Sequence, residues 1–241
     1  MKDNIRLDKF LADMSVGTRS QVKTIIGKGR IKVNGTVVKD SAFKIDTAKD
    51  SVVLDEKKIY YKSYEYYMLN KPAGVISATI DESQKTVLEL ITEKSRKDLF
   101  PVGRLDKDTE GLLLITNNGE LSHRLLSPGM HVDKTYYVET DKAIDKNGVY
   151  NLENGIDIGE DKLTMPARLK ILSTGNKNAY LLTICEGKFH QVKRMFQAAG
   201  ANVIYLKRLS MGKLKLDEKL KPGEYRTLTE EEIKSLTDSC N

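Results

Sequence analysis

The sequence has few of the residues that usually bind metals. Its 241 residues include two cysteines, Cys185 and Cys240, and three histidines, His123, His131 and His190. The cysteines are far apart and do not form the spaced ligand set of a zinc site. The histidines are too scattered to indicate a metal cluster. We therefore expect no metal centre in this protein.

Long apolar runs are also missing. No stretch approaches the roughly 20 residues that a transmembrane helix needs, and Met1 to Arg6 lack the apolar core of a signal peptide. On these grounds we expect a cytoplasmic protein. Hydrophobic residues make up 39% of the chain, which is enough for a packed core. The length allows one large domain, or a small domain with a larger one.

Positive charge is concentrated at the start of the chain. Residues 1–62 contain 14 Lys and Arg against 8 Asp and Glu, a difference of +6, whereas the remaining residues contain 26 of each kind. The whole net charge therefore lies in the first quarter. Nucleic acid is the commonest polyanion to expect for such a segment. A solvated, lysine-rich surface would have the same composition.

This basic segment shows the pattern of two short helices and a hairpin. Apolar residues recur at helical spacing from Arg6 to Met14, and Thr18 or Ser20 can cap a second helix. Alternating apolar residues on both sides of Asn34-Gly35 predict a β-hairpin. Five basic residues fall within fourteen positions, at a spacing suited to RNA phosphates: Arg19, Lys23, Lys28, Arg30 and Lys32.

The segment resembles the alpha-L RNA-binding module that was first described in a ribosomal protein of the small subunit. The matching residues are Arg6-Leu7-Asp8-Lys9-Phe10-Leu11, Ser20 and Gly29-Arg30-Ile31-Lys32-Val33-Asn34-Gly35. We place the domain boundary near Lys62. This gives an RNA-binding domain at residues 1–62 and a second domain at residues 63–241.

Strand patterns dominate the second domain, and helices are interspersed without a regular repeat. Strand-like stretches are Tyr66–Leu69, Leu112–Ile115, Lys134–Glu139, Ala179–Cys185 and Val203–Leu206. This order favours an α+β fold with a mixed, largely antiparallel sheet and flanking helices. Between the first two stretches, Lys71 lies in the turn Asn70-Lys71-Pro72, where a supporting role is the simplest interpretation.

A polar loop between Gly103 and Gly111 contains Asp106 shortly before the apolar run Leu112–Ile115. The packing of a buried strand would anchor this carboxylate while it faces a cleft, which is the support that a catalytic side chain needs. From this stretch alone, a turn or capping role for Asp106 is more common.

A helix is predicted from about Phe189 to Ala199. On this helix, Phe189, Val192 and Phe196 would share one face, at positions i, i+3 and i+7. Lys193 and Arg194 would lie on other sides, where a solvated surface is the ordinary interpretation. A functional role for Lys193 requires a partner, and Asp106 is the obvious carboxylate. A cation beside Asp106 would keep it ionised.

Four motifs in this order and spacing resemble the RsuA-type pseudouridine synthases. The matching stretches are Asn70-Lys71-Pro72, Gly103-Arg104-Leu105-Asp106 with Thr109 and Gly111-Leu112, Lys134-Thr135-Tyr136, and Glu186-Gly187 with His190-Gln191-Val192-Lys193-Arg194-Met195-Phe196. Pro222-Gly223-Glu224-Tyr225-Arg226 also fits. Four motifs together are far more specific than any one of them, and an alpha-L module in front of them is common in this family.

The resemblance implies that uridine in RNA is isomerised to pseudouridine, without a redox cofactor, metal or co-substrate. It makes Asp106 the essential aspartate and Lys193 its basic partner. Tyr136 matches the catalytic tyrosine that stacks on the base and can assist proton removal. Arg104 matches a position that contacts RNA beside the extruded nucleotide. We add Arg194, next to Lys193, to the candidate RNA contacts.

Several alternatives remain open at this stage. Ser122-His123-Arg124 and Leu228 to Ile233 favour the family member that acts on small-subunit ribosomal RNA, free or in an assembly intermediate, over its large-subunit relatives. A non-catalytic RNA-binding protein is a second possibility. A glycoside hydrolase would usually need a second carboxylate in a defined geometry, and nothing places Asp108 or Glu110 opposite Asp106. We expect a monomer, since one nucleotide needs one cleft.

Overall fold

A computed structural model describes residues 4–174 and 177–238 of the chain. It divides into two compact units, which we call the N-terminal and the C-terminal unit. The N-terminal unit runs to Glu65 and also includes Thr92–Leu99, and the C-terminal unit comprises Tyr66–Ile91 and the chain from Phe100 onward. The domain boundary near Lys62 stays a prediction.

The N-terminal unit contains the two helices and the hairpin that the sequence predicts. Its elements are β1 (Asn4–Arg6), α1 (Leu7–Asp13), α2 (Arg19–Gly27), β2 (Ile31–Val33), β3 (Thr36–Val37), β4 (Lys44–Asp46), β5 (Val52–Leu54) and β6 (Lys57–Ile59). Four strands form a sheet in the order β3-β2-β5-β6, and β1 pairs with β4. The Asn34-Gly35 turn has φ angles of 50° and 83°, as a tight hairpin turn requires.

A capping box fixes the start of α2. The Thr18 hydroxyl accepts a hydrogen bond from the Gln21 backbone N–H, and the Gln21 side chain accepts one from the Thr18 backbone N–H. These bonds satisfy backbone donors that a helix start leaves without partners. Below the helices, an apolar core joins α1 and α2 to the sheet; its members include Leu7, Leu11, Val22, Ile26, Ile31, Ile45 and Val52.

The segment Thr92–Leu99 is held to the N-terminal unit by a buried carboxylate. Glu65 is only 5% exposed, and its side-chain oxygens accept hydrogen bonds from the backbone N–H groups of Ser95 and Arg96, at 3.2 and 3.1 Å. Arg96 is also buried and forms a two-bond ion pair with Asp98. A stretch that is remote in sequence therefore completes this unit.

The C-terminal unit is built on a nine-stranded sheet whose main path is β11-β12-β10-β13-β9-β7-β15. Its strands are β7 (Tyr66–Lys71), β8 (Phe100–Pro101), β9 (Glu110–Thr116), β10 (Lys134–Thr140), β11 (Arg168–Thr174), β12 (Lys177–Ile184), β13 (Val203–Met211), β14 (Leu214–Lys215) and β15 (Tyr225–Thr227). Among the described strands, β9 and β13 are parallel and the other pairs are antiparallel. This confirms the predicted mixed, largely antiparallel sheet.

Helices α3 (Gly119–Leu126), α4 (Lys146–Asn154), α5 (Gln191–Ala198) and α6 (Glu230–Asp238) accompany this sheet. One core cluster joins α3 and α6 to the strands, and it includes Met68, Leu112, Leu114, Leu121, Leu125, Val132, Met211, Leu214, Leu228 and Leu236. Within the described ranges, no helix combines the length and apolar character needed to cross a bilayer.

The parallel contact between β9 and β13 depends on Gly111. Here Lys207 pairs with Glu110 and Arg208 with Gly111. Gly111 has a φ of +100°, and a Cβ at this position would overlap the main chain of Arg208. Only glycine allows the two backbones to approach so closely. The chain that enters β9 at this contact is the loop that contains Asp106.

The prediction that Phe189 belongs to α5, on the same face as Val192 and Phe196, was wrong. The helix begins at Gln191, because His190 adopts a left-handed conformation with a φ of 48°. This turn of the backbone removes Phe189 from the helical path. Val192 and Phe196 are buried, whereas Phe189 is 71% exposed.

Candidate active site

A buried lysine fixes the main chain around Asp106. Lys71, at the end of β7, is fully buried, and its Nζ donates to four carbonyl oxygens. These belong to Pro72 at 3.1 Å, Asp106 at 3.0 Å, Lys107 at 3.2 Å and Thr109 at 2.8 Å. The loop is therefore tied to one point at Asp106 itself and on its C-terminal side. Ser77 adds a hydrogen bond from its hydroxyl to the carbonyl of Leu105.

Burial and nearby carboxylates have opposite effects on the pKa of Lys71. Burial lowers its pKa to about 8, and the negative charges of Asp108, Asp106 and Glu110 oppose that change. An ammonium group has three N–H donors, so the four carbonyls share them. The supporting role that the sequence suggested for Lys71 thus takes the form of an interior anchor, since its side chain has no solvent-exposed surface.

The structure brings Asp106 together with α5. The Asp106 side chain is 24% exposed, and its Oδ2 lies 3.5 Å from the Nζ of Lys193. Its Oδ1 lies 3.6 Å from the Nε2 of His190. His190 is the residue that precedes α5, and Lys193 lies in its first turn. The left-handed turn at His190 therefore also places its imidazole ring beside the carboxylate.

Lys193 is shared between two carboxylates, and the closer one is Asp108. Its Nζ lies 2.6 and 2.7 Å from the two Asp108 oxygens. The hydrogen bond from Lys193 lowers the pKa of Asp108. The sequence paired Lys193 with Asp106 alone, because the resemblance gives only that partner. Asp108 is 71% exposed at its side chain, so this stronger contact lies at the solvent side of the site.

Tyr136 and Asp106 line the same cavity, whose volume is ≈ 130 Å³. Tyr136 lies on β10 and is 7% exposed. The cavity adjoins a wider cleft of ≈ 570 Å³, which Asp106 and Arg104 also line. A liquid water occupies roughly 30 Å³, so the inner cavity has room for a few waters or a small flat ring. Arg104 itself is exposed.

Two buried cations that the sequence analysis did not single out line the inner cavity. Arg208 is 2% exposed, and its Nε donates to the carbonyl of Leu112 at 2.7 Å. Its buried Nη2 has no hydrogen-bond partner among the described residues. Lys134 donates to the carbonyl of Val132, and burial, together with the charge of Arg208, lowers its pKa. These two cations favour a ligand with an oxygen acceptor in the cavity, because a buried N–H donor without a hydrogen-bond partner costs free energy.

Arg194 is engaged with protein groups and does not line the inner cavity. Its Nη1 donates to Glu160 at 2.7 Å and to the carbonyl of Phe189 at 3.1 Å. Its Nη2 donates to the carbonyl of Ile158. These bonds tie the start of α5 to the loop before β11. An RNA contact by Arg194 stays a prediction.

The five predicted basic residues of the N-terminal unit fall into two groups. Arg19, Lys23 and Lys28 are exposed along α2 and its C-terminal end. Arg30 instead forms an ion pair with Asp55, and Lys32 lies 3.2 Å from Glu56. Both carboxylates belong to the turn between β5 and β6. The sequence pattern did not predict that this turn lies next to β2.

The same unit has a second basic surface. A cavity of ≈ 630 Å³ is lined by Lys57, Lys58, Lys62 and Lys94, together with Tyr60. Lys94 comes from the segment Thr92–Leu99, so sequence proximity could not reveal this group. The N-terminal unit therefore offers positive charge at two places.

In the part of the chain that the structure covers, no group of three or more His, Cys, Asp or Glu side chains could hold a metal ion. Cys185 is a half-buried free thiol, and Cys240 lies outside the described residues. The site is therefore assembled from one half-buried carboxylate, a tyrosine and several cations.

Two family models match the chain. The model for RNA pseudouridylate synthases matches residues 65–198, which include Asp106, Tyr136 and Lys193. The S4 domain model matches residues 5–52, within the N-terminal unit. The chain belongs to the pseudouridine synthase family. It is thus an enzyme of this class with an N-terminal S4 domain, as the motifs predicted.

Relatives match this pseudouridine synthase over nearly its whole length. An uncharacterized RNA pseudouridine synthase of Bacillus subtilis is 47% identical over 236 residues, which cover 97% of this chain and 99% of the relative. The ribosomal small subunit pseudouridine synthase A of Vibrio cholerae is 43% identical over 233 residues, with 96% and 99% covered. A crystal structure of a pseudouridylate synthase superposes with a TM-score of 0.67 at 38% identity, covering 96% of this chain and 99% of that one.

Proposed function

We propose that this synthase isomerises a uridine of small-subunit ribosomal RNA to pseudouridine, with Asp106 as its catalytic carboxylate. The observation that carries the proposal is the position of Asp106, which lines one cavity with Tyr136 and lies beside Lys193 and His190. The choice of ribosomal RNA follows the names of relatives such as the Vibrio cholerae protein. A large-subunit substrate is the alternative.

The reaction breaks the N-glycosidic bond of uridine, turns the uracil, and joins its C5 to the sugar carbon. The N1 position gains a proton and C5 loses one, so the product has the same atoms and no oxidant, reductant or water is consumed. Positive charge develops at the sugar carbon when the bond breaks. A carboxylate held next to that carbon stabilises this charge or bonds to the carbon, as in glycosidases.

The cavity walls suit a pyrimidine. The ring of Tyr136 offers a flat surface on which the base can stack. The Nη2 of Arg208, which lacks a protein partner in the described residues, offers a hydrogen bond to a uracil oxygen. Lys193 and His190 hold the carboxylate from the side of α5. Asp106 thereby faces the sugar while the base lies against Tyr136.

The uridine has to leave its helix or stack before it reaches Asp106, because a stacked base cannot bring its sugar carbon to a recessed carboxylate. Arg104 is exposed on the wall of the wider cleft. Its guanidinium can contact the RNA backbone next to the extruded nucleotide. The exposed residues Arg19, Lys23 and Lys28 supply additional attraction to the RNA. One chain contains every group named here, so we propose a monomer as the active form.

The substitution Asp106→Asn tests the catalytic role, since it removes the charge and keeps the shape. We expect RNA binding within about twofold of wild type and a loss of isomerisation of about 10³-fold or more. Tritium release from ribosomal RNA labelled at uracil C5 measures turnover. Asp108→Asn is the matched control, because it removes a neighbouring carboxylate that lies at the solvent side.

The same assay separates the alternatives. Release of free uracil would indicate a hydrolase, and binding without tritium release by the wild type would indicate a non-catalytic RNA-binding protein. Turnover by Asp106→Asn at the wild-type rate would refute the role of Asp106. Separate reactions with small-subunit and large-subunit RNA, followed by mapping of pseudouridine, identify the substrate.

A further inference from the structure

Phe189 exposes an aromatic ring beside the active site. Its side chain is 71% exposed, and it lines the wider cleft together with His190, Arg104 and Asp106. The residue directly precedes the left-handed turn at His190. A ring exposed in this position is accessible to a molecule that enters the cleft.

The ring of Phe189 stacks on the imidazole of His190. The two centroids are 3.8 Å apart and the ring planes differ by 18°. His190 has a φ of 48°, a conformation that residues other than glycine adopt infrequently. Arg194 holds the turn by donating to the carbonyl of Phe189. The protein therefore maintains an uncommon backbone conformation and, with it, a flat stack that has an open aromatic side.

The surroundings of this stack select the chemistry of its partner. His190 lies 3.6 Å from Asp106, so the stack adjoins the reacting group. The nearby cations Lys188 and Arg104 line the same cleft, which favours a polyanion. Every nucleic-acid base has a π face that stacks on an aromatic side chain, whatever its sequence. A single aromatic ring among cations fits a base of a single strand better than it fits an apolar protein surface.

We propose that the Phe189–His190 stack binds an RNA base that neighbours the uridine in the cavity. This inference rests on the proposed function. Extrusion of the uridine deprives a neighbouring base of its stacking partner, and Phe189 replaces that partner. The stack thereby lowers the cost of extrusion and holds the strand in register with Asp106. Phe189 is a positioning residue, since it does not touch the reacting atoms.

The substitutions Phe189→Ala, Phe189→Leu and Phe189→Trp test this role. Loss of one stacked base weakens binding by about 10-fold, so we expect Ala and Leu to raise KM by about that factor and to change kcat at saturating RNA by less than about twofold. Trp retains an aromatic face and should bind within about twofold of wild type. Tyr150→Ala removes another exposed aromatic ring of the same unit, from α4, and is the matched control.

A fluorescent base provides a readout that a general loss of structure would not imitate. We place 2-aminopurine next to the target uridine and bind the RNA to Asp106→Asn protein, which prevents turnover. Stacking quenches this probe, so quenching should occur with Phe189 and Trp and be absent with Ala and Leu. Thermal unfolding should be the same for all variants, because Phe189 is exposed.

Two results would overturn the inference: a KM for Ala and Leu equal to that of Tyr150→Ala, or quenching that persists without the ring. A Trp variant as weak as Ala would count against stacking in the same way. Failure of the proposed function has a different signature, the absence of tritium release by the wild type. The fluorescence measurement does not depend on turnover, so each idea can fail without the other.

Discussion

The N-terminal unit exposes its candidate RNA-binding cations, whereas the C-terminal unit buries two cations around its candidate active site. In the N-terminal unit, Arg19, Lys23 and Lys28 extend into water from α2. In the C-terminal unit, Lys71 and Arg208 are buried and donate to backbone carbonyls. Exposed charges attract a polyanion through their total number, and salt screens this attraction. Buried charges act through their exact partners, so each one is difficult to replace. Affinity and chemistry should therefore respond differently to substitution.

The largest effect in this comparison is expected from Lys71→Met. The change leaves four carbonyl oxygens without their shared donor and releases the loop of Asp106. We expect a loss of stability of about 3 kcal/mol and a fall in kcat of at least about 10²-fold in the protein that remains folded. Urea unfolding and tritium release measure these quantities. A variant with wild-type stability and turnover would show that the anchor is dispensable.

The pH dependence of stability checks the charge of Lys71 independently. Its pKa of about 8 in the folded protein is below the ordinary value of 10.5. Between these values the unfolded chain binds more protons, so the contribution of Lys71 to the free energy of unfolding rises with pH in that window. Wild type minus Lys71→Met should show this slope between pH 8 and 10. A flat difference would mean that the pKa of Lys71 is not lowered.

An intermediate effect is expected from Lys193→Met, compared with Asp108→Asn. Removing Lys193 takes away the cation that lies 3.5 Å from the Asp106 carboxylate, and we expect kcat to fall by about 10²-fold, the scale of one lost charged contact in a site. Removing Asp108 frees Lys193 to approach Asp106, so kcat should stay within about threefold of wild type. Tritium release at saturating RNA measures both. Equal losses would show that Lys193 and Asp108 work as one unit.

The smallest effect on chemistry is expected from charge reversal in the N-terminal unit. Changing Arg19, Lys23 and Lys28 to Glu should weaken RNA binding by at least about 10-fold and flatten its salt dependence by about two to three units of slope. The kcat at saturating RNA should not change. Reversal at three exposed lysines of the other unit, Lys146, Lys170 and Lys219, changes net charge equally and is the control. An unchanged salt slope would contradict an RNA-anchoring role of α2.

Local patterns were sufficient for much of the fold. The Asn34-Gly35 turn and the cap at Thr18 predicted the hairpin and α2, because turn and cap chemistry act over a few residues. The run Leu112–Ile115 indicated the centre of β9 for the same reason. The candidate site residues required the family resemblance, since Asp106 and Lys193 are far apart in sequence and no periodicity joins them.

Other features depend on contacts that no local pattern contains. Lysine is almost never fully buried unless it has partners, and three of the four carbonyl partners of Lys71 follow 35 to 38 residues later in the chain. Arg208 is buried at the point where Gly111 allows the backbone of β13 to approach β9 closely. The positions of these two residues in the sequence do not reveal this contact. Phe189 was assigned to the same helix face as Val192 and Phe196 because periodicity assumes an uninterrupted helix, and the left-handed turn at His190 interrupts it.

The course of the chain through Thr92–Leu99 decides which fragments of this protein can be made. The polypeptide leaves the N-terminal unit after Glu65, returns at Thr92 and leaves again after Leu99. A fragment cut at residue 62 would lack both Glu65 and the segment Thr92–Leu99, which the Glu65 carboxylate holds. A separately expressed S4 unit should therefore carry residues 92–99 on a short linker after Glu65, and its C-terminal counterpart should have Ile91 and Phe100 bridged in the same way.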